Sequence, residues 1–152
     1  MERTVVIEDP RGSTVRHHWD EESQTWDEKP HPHTSTPWPA NYGYLPNTWN
    51  PADQDALDVL VISTDPLETG SQVEIRVVGL LLRPDGDDKV LGVLTSDPIF
   101  GGIARFQDVP AEQIQAIEDW FAEWSQIGQW RDEAGARARI EKALNSDDDD
   151  DK

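Results

Sequence analysis

The stretch Asp53-Gln-Asp-Ala-Leu-Asp58, followed by the apolar run Val59 to Ile62, decides the fold and the chemistry available to this chain. The apolar run predicts a buried strand. If that strand begins near Asp58, the Asp53 and Asp55 carboxylates can converge while the turn brings Asp58 beside them. Such a cluster of like charges requires a cation or a shared proton. The alternative is an acidic surface turn, because Asn, Asp and Pro favour turns for backbone reasons alone.

A second acidic cluster, Asp85-Gly-Asp-Asp-Lys89, lies between the apolar runs Ile75 to Leu82 and Val90 to Leu94. Two strands joined by a short Asp/Gly link are typical of a β-hairpin, which by itself explains the cluster. A carboxylate pair close to Lys89 also suits a site that holds a metal ion and a phosphate, because the ammonium is a point charge for phosphate oxygen. Together the two clusters favour a divalent metal site with oxygen ligands.

At these residues the chain resembles the family I soluble inorganic pyrophosphatases, as a divergent member. The family's aspartate signature before a buried strand is similar to Asp53, Asp55 and Asp58. Other similar segments are Val5 to Ser13, Pro39 to Tyr44 with its Tyr-Gly-Tyr, and Arg76 to Leu82. The resemblance spans Val5 to Leu144. It implies an α+β fold that is mainly β, a small five-stranded OB-like barrel with two or more helices packed outside.

The resemblance also implies an activity, the Mg²⁺-dependent hydrolysis of inorganic diphosphate to two phosphates. Several Mg²⁺ ions are implied, with Mn²⁺ or another divalent ion as a substitute. The implied general base is Asp55. The implied metal ligands are Asp53, Asp58 and Asp87, together with Asp85 for a metal that arrives with the substrate. The implied phosphate contacts are Tyr42, Lys89 and Arg16, although Tyr42 is also compatible with a core position and Arg16 with a solvated surface charge.

Departures from the family pattern lie on the substrate side of the predicted site. His18 stands where the resemblance implies a metal-facing glutamate, Pro30 with Lys29 beside it where it implies an arginine, and Trp124-Ser125 where it implies a Tyr-Lys pair. Two missing cations, at roughly 1.5 to 3 kcal/mol each, would lower catalytic efficiency by on the order of 10² to 10⁴. Glu8, His18 and Lys29 are further candidates for the site.

These departures leave two alternatives open. One is a hydrolase of an organic diphosphate, such as a nucleotide or sugar diphosphate, with a changed pocket near His18 and Ser125. The other is a catalytically impaired, metal-binding interaction protein. The complete set of aspartates favours an enzyme, because a protein that has lost its activity would more readily lose its metal ligands.

Composition limits the partners and the location of the protein. The chain has 152 residues and a formal charge of −18, from 31 acids against 13 bases, so we expect no nucleic acid partner. No apolar run is long enough to cross a membrane. The absence of cysteine fits a cytoplasmic protein. We expect one domain over residues 1–145, followed by an acidic disordered tail or tag remnant over residues 146–152.

Hydrophobic periodicity predicts strands in the first part of the chain and helices in the last third. The predicted strands, five that can close a small barrel, are Val5 to Glu8, Val15 to Trp19, Val59 to Ser63, Val73 to Leu82 and Lys89 to Leu94. The predicted helices are Ala111 to Trp124 and Asp132 to Leu144. We expect the apolar stripe of the first helix to belong to the core.

Histidine and tryptophan give weaker signals. His17-His18 and His31-Pro-His33 are compatible with a transition-metal site but more typical of surface histidines. Seven tryptophans are many for this length. We expect Trp19, Trp26, Trp38 and Trp49 to pack barrel ends or to form contacts in a homo-oligomer, for which the resemblance implies a hexamer.

Overall fold

The apolar runs form strands of a closed barrel in the computed structural model, which describes residues 1–145. The strands are β1 (Glu2–Asp9), β2 (Val15–Asp20), β3 (Thr25–Pro30), β4 (Asn41–Tyr44), β5 (Asp58–Ile62), β6 (Gln72–Leu82), β7 (Lys89–Leu94) and β8 (Gln129–Arg131). Five of them are joined in the order β1-β4-β5-β7-β6, and β6 pairs with β1 to close the barrel. The short strand β8 adds to β6. The predicted mainly β fold with a five-stranded barrel is therefore confirmed.

One pair of barrel strands differs from the others in direction. β5 and β7 run parallel, with Asp58 opposite Lys89, whereas the other four pairs in the barrel are antiparallel. Parallel strands begin at the same edge of a sheet. The acidic turns that precede β5 and β7 therefore lie at the same rim of the barrel.

The membership of the barrel differs from the prediction in one strand. Val15 to Trp19 was expected in the barrel, but β2 pairs only with β3, forming a separate hairpin. The residues of β2 are half-exposed or exposed, because the strand is too polar to be buried on both of its faces. β4 takes the place in the barrel, because Asn41, Tyr42 and Gly43 are all buried between β1 and β5.

Two helices pack outside the barrel, as predicted. They are α1 (Ala111–Ala122) and α2 (Glu133–Asn145). Alternate residues of β5 belong to two apolar clusters, since successive side chains of a strand point to opposite faces. Val59 and Val61 share one cluster with Ile140 of α2, and Leu60 shares the other with Ile117 of α1. Each helix thus covers the strand side chains of one of the two apolar clusters.

Neither helix in the described part of the chain is long and apolar enough to cross a membrane. The predicted tail, residues 146–152, lies outside the described residues. The hairpin predicted around Asp85 to Lys89 is present, because β6 and β7 pair in antiparallel fashion with Leu81 opposite Lys89.

Candidate active site

Three aspartates from the two acidic turns converge at the barrel rim. Asp53 lies in the turn before β5, Asp58 is the first residue of β5, and Asp87 lies in the turn before β7. Each offers a carboxylate oxygen, and these oxygens all lie within 4.8 Å of one another. The Asp87 Oδ1 atom is buried and has no hydrogen-bond partner among the described residues. Oxygen ligands at this spacing, with one left unpaired, fit a hard divalent cation.

Lys89 compensates part of this negative charge. Its Nζ atom donates to Asp58 Oδ2 at 2.7 Å and to Tyr42 OH at 3.1 Å, and it lies 3.1 Å from Asp87 Oδ2. Two of the three ammonium N–H donors therefore have hydrogen-bond partners, and Asp87 forms a further ion pair with the same nitrogen. Burial would lower the pKa of Lys89, but the charges of Asp58 and Asp87 outweigh it and raise that pKa. Lys89 is therefore a permanent cation within the acidic cluster.

The negative charge that Lys89 does not compensate influences the pKa values of the three carboxyls. Burial, followed by the charges of Asp58 and Asp87, raises the pKa of Asp53 to about 7. Burial also raises the pKa of Asp58, against the opposing charge of Lys89. Burial opposes ionisation of Asp87 as well, but Lys89 outweighs it and lowers that pKa. One ammonium therefore does not neutralise three carboxylates, and a bound cation would complete the balance.

A smaller cavity of about 140 Å³ adjoins the cluster, and Asp58 lines it together with Glu8, His18 and Asp55. Glu8 lies where the pairing of β1 with β4 shifts register between Ile7 and Asp9, an irregularity that re-aims side chains in many sites. Burial, then Asp58, Asp9 and Asp55, raises the pKa of Glu8 to about 8. The structure thus brings Glu8, His18 and Asp55 to one side of Asp58.

Asp55 occupies a separate place from the converging trio. Among residues 1–145, the three carboxylates that converge are those of Asp53, Asp58 and Asp87, and Asp55 is not one of them. The backbone of Asp55 pairs with Asn50, whose N–H donates to the Asp55 carbonyl at 2.7 Å. The Asp55 Oδ1 atom accepts the Ala56 N–H at 2.8 Å. Its carboxylate is therefore exposed to the smaller cavity but fixed in orientation.

A larger cavity of about 240 Å³ also adjoins the cluster. Its polar wall contains Arg16, Tyr42, Asp85, Asp87 and Lys89. Burial, then Asp58, raises the pKa of Tyr42 well above 10, so its hydroxyl stays neutral. Four predicted site residues, from β2, β4, the β6–β7 turn and β7, therefore line one space with Asp87.

The rest of the lining of this cavity, the aromatic wall, is mainly aromatic. It is formed by His31, Pro32, His33, Trp38, Trp120, Phe121 and Trp124. Trp38 stacks on Tyr42 at 4.4 Å and on Trp120 at 4.2 Å between ring centroids. The stripe of α1 was expected to lie in the core, and Ile117 does, but Trp120, Phe121 and Trp124 also face this cavity.

The other candidates lie apart from the acidic cluster. Lys29 pairs with Arg16 across the β2–β3 hairpin, and both line a neighbouring groove with His18 and Pro30. His31 and His33 contact each other and tryptophan rings, away from the three aspartates. Within residues 1–145, the convergent set of metal-ligand side chains contains aspartates and no histidine.

A sequence model of the family described as inorganic pyrophosphatase matches residues 5–147. The chain belongs to the inorganic pyrophosphatase family. The inorganic pyrophosphatase of Thermus thermophilus is 35% identical over 153 residues, covering 92% of this chain and 87% of that relative. The inorganic pyrophosphatase of Saccharolobus solfataricus is 34% identical, with 94% and 90% covered. The predicted family resemblance is confirmed.

Solved structures support the same assignment. The crystal structure of inorganic pyrophosphatase from Ehrlichia chaffeensis has a TM-score of 0.84 at 32% identity, covering 94% of this chain and 93% of that chain. Inorganic pyrophosphatases are metal-dependent enzymes, and the acidic cluster of Asp53, Asp58 and Asp87 is compatible with that dependence.

Two supporting aspartates in this pyrophosphatase were not predicted. Asp9 accepts the His17 backbone N–H at 2.6 Å and contacts His17 Nδ1 at 2.8 Å, which ties the β2–β3 hairpin to β1. Asp88 accepts the Arg83 N–H at 2.8 Å and Arg139 Nε at 2.9 Å, which ties the acidic turn to α2. Both contacts depend on tertiary packing, and no local pattern in the sequence indicates them.

Proposed function

We propose that this chain hydrolyses inorganic diphosphate to two phosphates, with Mg²⁺ as its activating ion. The observation that carries this proposal is the convergence of Asp53, Asp58 and Asp87 beside a cavity that also presents Arg16 and Lys89. Carboxylates are suitable ligands for a hard cation, and the charges of Arg16 and Lys89 are suitable for phosphate oxygens. The aspartates would therefore bind the metal, and the two cations the diphosphate, of a metal–diphosphate complex.

The residues that would hold Mg²⁺ are Asp53, Asp58 and Asp87, with Asp85 available for an ion that enters with the diphosphate. The unpaired Oδ1 of Asp87 and the all-oxygen ligand set of the trio support a hard divalent cation such as Mg²⁺. Bound divalent ions supply neutralisation of the phosphate oxygens and make a coordinated water more acidic. Mn²⁺ has similar ligand preferences and is the expected substitute.

The polar wall binds and orients the diphosphate in this proposal. Arg16 is exposed on β2 and free to approach a phosphoryl group, and its planar guanidinium can donate two N–H groups to two oxygens. Lys89 presents a fixed positive charge, because Asp58, Asp87 and Tyr42 hold its Nζ in place. Tyr42 stays protonated and can donate its O–H. These groups stabilise charge where it develops during hydrolysis.

Asp55 acts as the general base in this proposal. It would accept a proton from the attacking water while the water oxygen forms a bond to one phosphorus and the bond from that phosphorus to the bridging oxygen breaks. The departing phosphate keeps the electron pair of the broken bond. The hydrogen bond from the Ala56 N–H fixes one Asp55 oxygen and leaves the other available for the water.

The test is phosphate release from inorganic diphosphate by the wild-type chain and by Asp55→Asn. We expect release that requires Mg²⁺, stops with a chelator, and falls by about 10² to 10⁴ in kcat for Asp55→Asn, the usual contribution of a general base. Asp65→Asn, an exposed residue outside the site, is the matched control and should behave as the wild type. A nucleoside diphosphate and a sugar diphosphate serve as organic substrates in the same assay. Equal turnover by Asp55→Asn would refute its role.

We further propose that the chain forms a homo-oligomer, for which a hexamer is the expectation, and that it functions in the cytoplasm. The family resemblance is the basis of this expectation, and Ile99 and Ile127, 67% and 46% accessible in the isolated chain, are two apolar side chains that such contacts could cover. Light scattering coupled to size exclusion tests the oligomer, and a monomeric mass would contradict it.

A further inference from the structure

Unpartnered polar atoms concentrate around the larger cavity. Five buried side-chain nitrogen or oxygen atoms lack a hydrogen-bond partner among the described residues. Four of these belong to Asp87, Arg83 and Trp124, and the three on Arg83 and Trp124 are N–H donors. Asp87 faces the proposed metal site, so its free oxygen has an explanation. The donors of Arg83 and Trp124 have none in the proposed mechanism.

Arg83 is a cation buried without a counter-charge. It follows the last residue of β6 and is 8% exposed. Within residues 1–145, no carboxylate oxygen lies within 4.0 Å of its guanidinium, whose Nη2 donates to Ser125 Oγ. Its Cζ atom lies 4.5 Å from the ring centroid of Phe121 and 5.7 Å from that of Trp124. Ring faces attract a cation only weakly compared with an anion, so this guanidinium is under-compensated.

The guanidinium lies directly behind the aromatic wall. Phe121 and Trp124, the two rings that it contacts, both line the larger cavity. Trp124 follows the end of α1 at Ala122, and its ring packs against those of His31, His33, Trp120 and Phe121. The three free N–H donors therefore lie next to the cavity, and a ligand there would be reached only after a change of the Arg83 and Trp124 side-chain torsions.

We propose that Arg83, assisted by the Trp124 indole N–H, binds one phosphoryl group of the diphosphate from the aromatic side of the cavity. This inference rests on the proposed function. A guanidinium offers two parallel N–H groups that match two phosphate oxygens, and an anion would supply the charge that the protein lacks at this place. The sequence led us to expect no cation at Ser125. Arg83 contacts Ser125, so the end of β6 supplies the positive charge instead.

The experiment compares Arg83→Met with the wild type by calorimetric titration of methylenediphosphonate, a diphosphate analogue that is not hydrolysed, in the presence of Mg²⁺. Methionine keeps the length and apolar contacts of the side chain and removes its charge. We expect binding to weaken by about ten- to a hundredfold, the equivalent of a lost charge-assisted hydrogen bond. Arg137→Met removes one charge from an exposed position of α2 and should bind within about twofold of the wild type.

A second variant separates binding from packing. Arg83→Met combined with Ser125→Lys places an ammonium at the residue that the guanidinium contacts, and it should recover at least part of the lost affinity. Weakened binding at an unchanged melting temperature supports the proposal, as does weakened binding that Ser125→Lys restores by a larger factor in Arg83→Met than the factor by which it strengthens binding in the wild type. Unchanged binding overturns it, as does a loss that follows a lowered melting temperature and is not restored.

Steady-state kinetics provide the readout that separates this inference from the proposed function. If the wild type hydrolyses diphosphate and Arg83→Met has an unchanged KM, only the role of Arg83 is wrong. If the wild type releases no phosphate from diphosphate, the proposed function is wrong, and the titration still reports whether Arg83 binds the analogue.

Discussion

Asp58 and Lys89 form an ion pair in which Asp58 Oδ2 and Lys89 Nζ are 2.7 Å apart, with side chains only 12% and 6% exposed. They are the first residues of two parallel strands and lie opposite each other. The same Lys89 nitrogen forms a second ion pair with Asp87, whose Oδ2 atom is 3.1 Å away. Removing one partner of a buried ion pair leaves the other charge without compensation, which is far more destabilising than losing an exposed pair.

Lys89→Met should therefore lower the free energy of unfolding by about 3 to 5 kcal/mol when divalent ions are chelated. Added Mg²⁺ should recover part of this loss, because the cation replaces the ammonium between Asp58 and Asp87. Urea denaturation with chelator and with Mg²⁺ measures both effects. Arg105→Met, which breaks an exposed pair with Asp108, is the control and should cost at most about 1 kcal/mol. Similar losses in the two variants would contradict this account.

Mg²⁺ should stabilise the wild-type fold by about 2.7 kcal/mol at a concentration a hundred times its dissociation constant, because it binds the folded site and not the unfolded chain. Asp53→Asn should reduce this gain by removing a ligand from the trio. The measurement is the melting temperature as a function of Mg²⁺ concentration, with Asp65→Asn as the control. A gain that is the same in Asp53→Asn and wild type would place the ion elsewhere.

Acid should destabilise the fold through His31. Burial, then the charges of Arg16 and His33, lowers the pKa of His31 from 6.5 to about 4. The folded protein therefore keeps the imidazole neutral while the unfolded chain binds a proton, so this contribution is complete above pH 6.5 and is lost as pH falls from 6.5 towards 4. His31→Phe keeps a ring against Trp38, Trp120 and Trp124 but cannot titrate.

The stability difference between wild type and His31→Phe should consequently shrink as the pH is lowered from 7 to 4.5. Urea denaturation at several pH values gives this difference, and the carboxyls that titrate in both proteins cancel from it. Parallel stability curves for the two proteins would show that His31 carries no pH dependence.

Gly43→Ala should weaken the barrel at β4. A Cβ atom at Gly43 would lie 2.0 Å from the carbonyl oxygen of Val6 on β1, too close for any side chain. Overpacking of this kind costs about 1 to 3 kcal/mol, and here it separates two hydrogen-bonded strands. Gly102→Ala is the control, because a Cβ atom at Gly102 would meet no other atom within 4 Å and the substitution should be nearly neutral. Denaturation midpoints of the two variants test the difference.

The candidate site was predictable from sequence where its residues adjoin strong apolar strands. Asp58 and Lys89 each begin such a strand, so their place at the barrel rim follows from local pattern. Asp87 and Asp88 are adjacent and chemically identical, so local pattern does not tell which faces the metal site, and only the family resemblance implied Asp87. Docking of α2 decides it, because Arg139 binds Asp88, 51 residues away in the chain.

Parts of the fold lacked a local signal. β4 is four residues long and contains Asn41 and Gly43, so neither length nor propensity marks it as a strand. It is buried because Asn41 Nδ2 donates to the Val61 carbonyl and to Ser63 Oγ, and because Gly43 allows close approach of Val6. The burial of Arg83 is equally non-local, since Phe121 and Ser125 follow it by about forty residues.

The parallel pairing of β5 and β7 has a consequence for how this site tolerates change. The separation of Asp58 from Lys89 is set by the spacing of neighbouring strands, about 4.8 Å, and not by the conformation of any loop. Insertions or deletions between β5 and β6 can therefore alter the outer surface without moving the charges that meet at the rim. A slip of β7 by one residue, in contrast, would turn Lys89 to the other face and leave the acidic cluster without its internal cation.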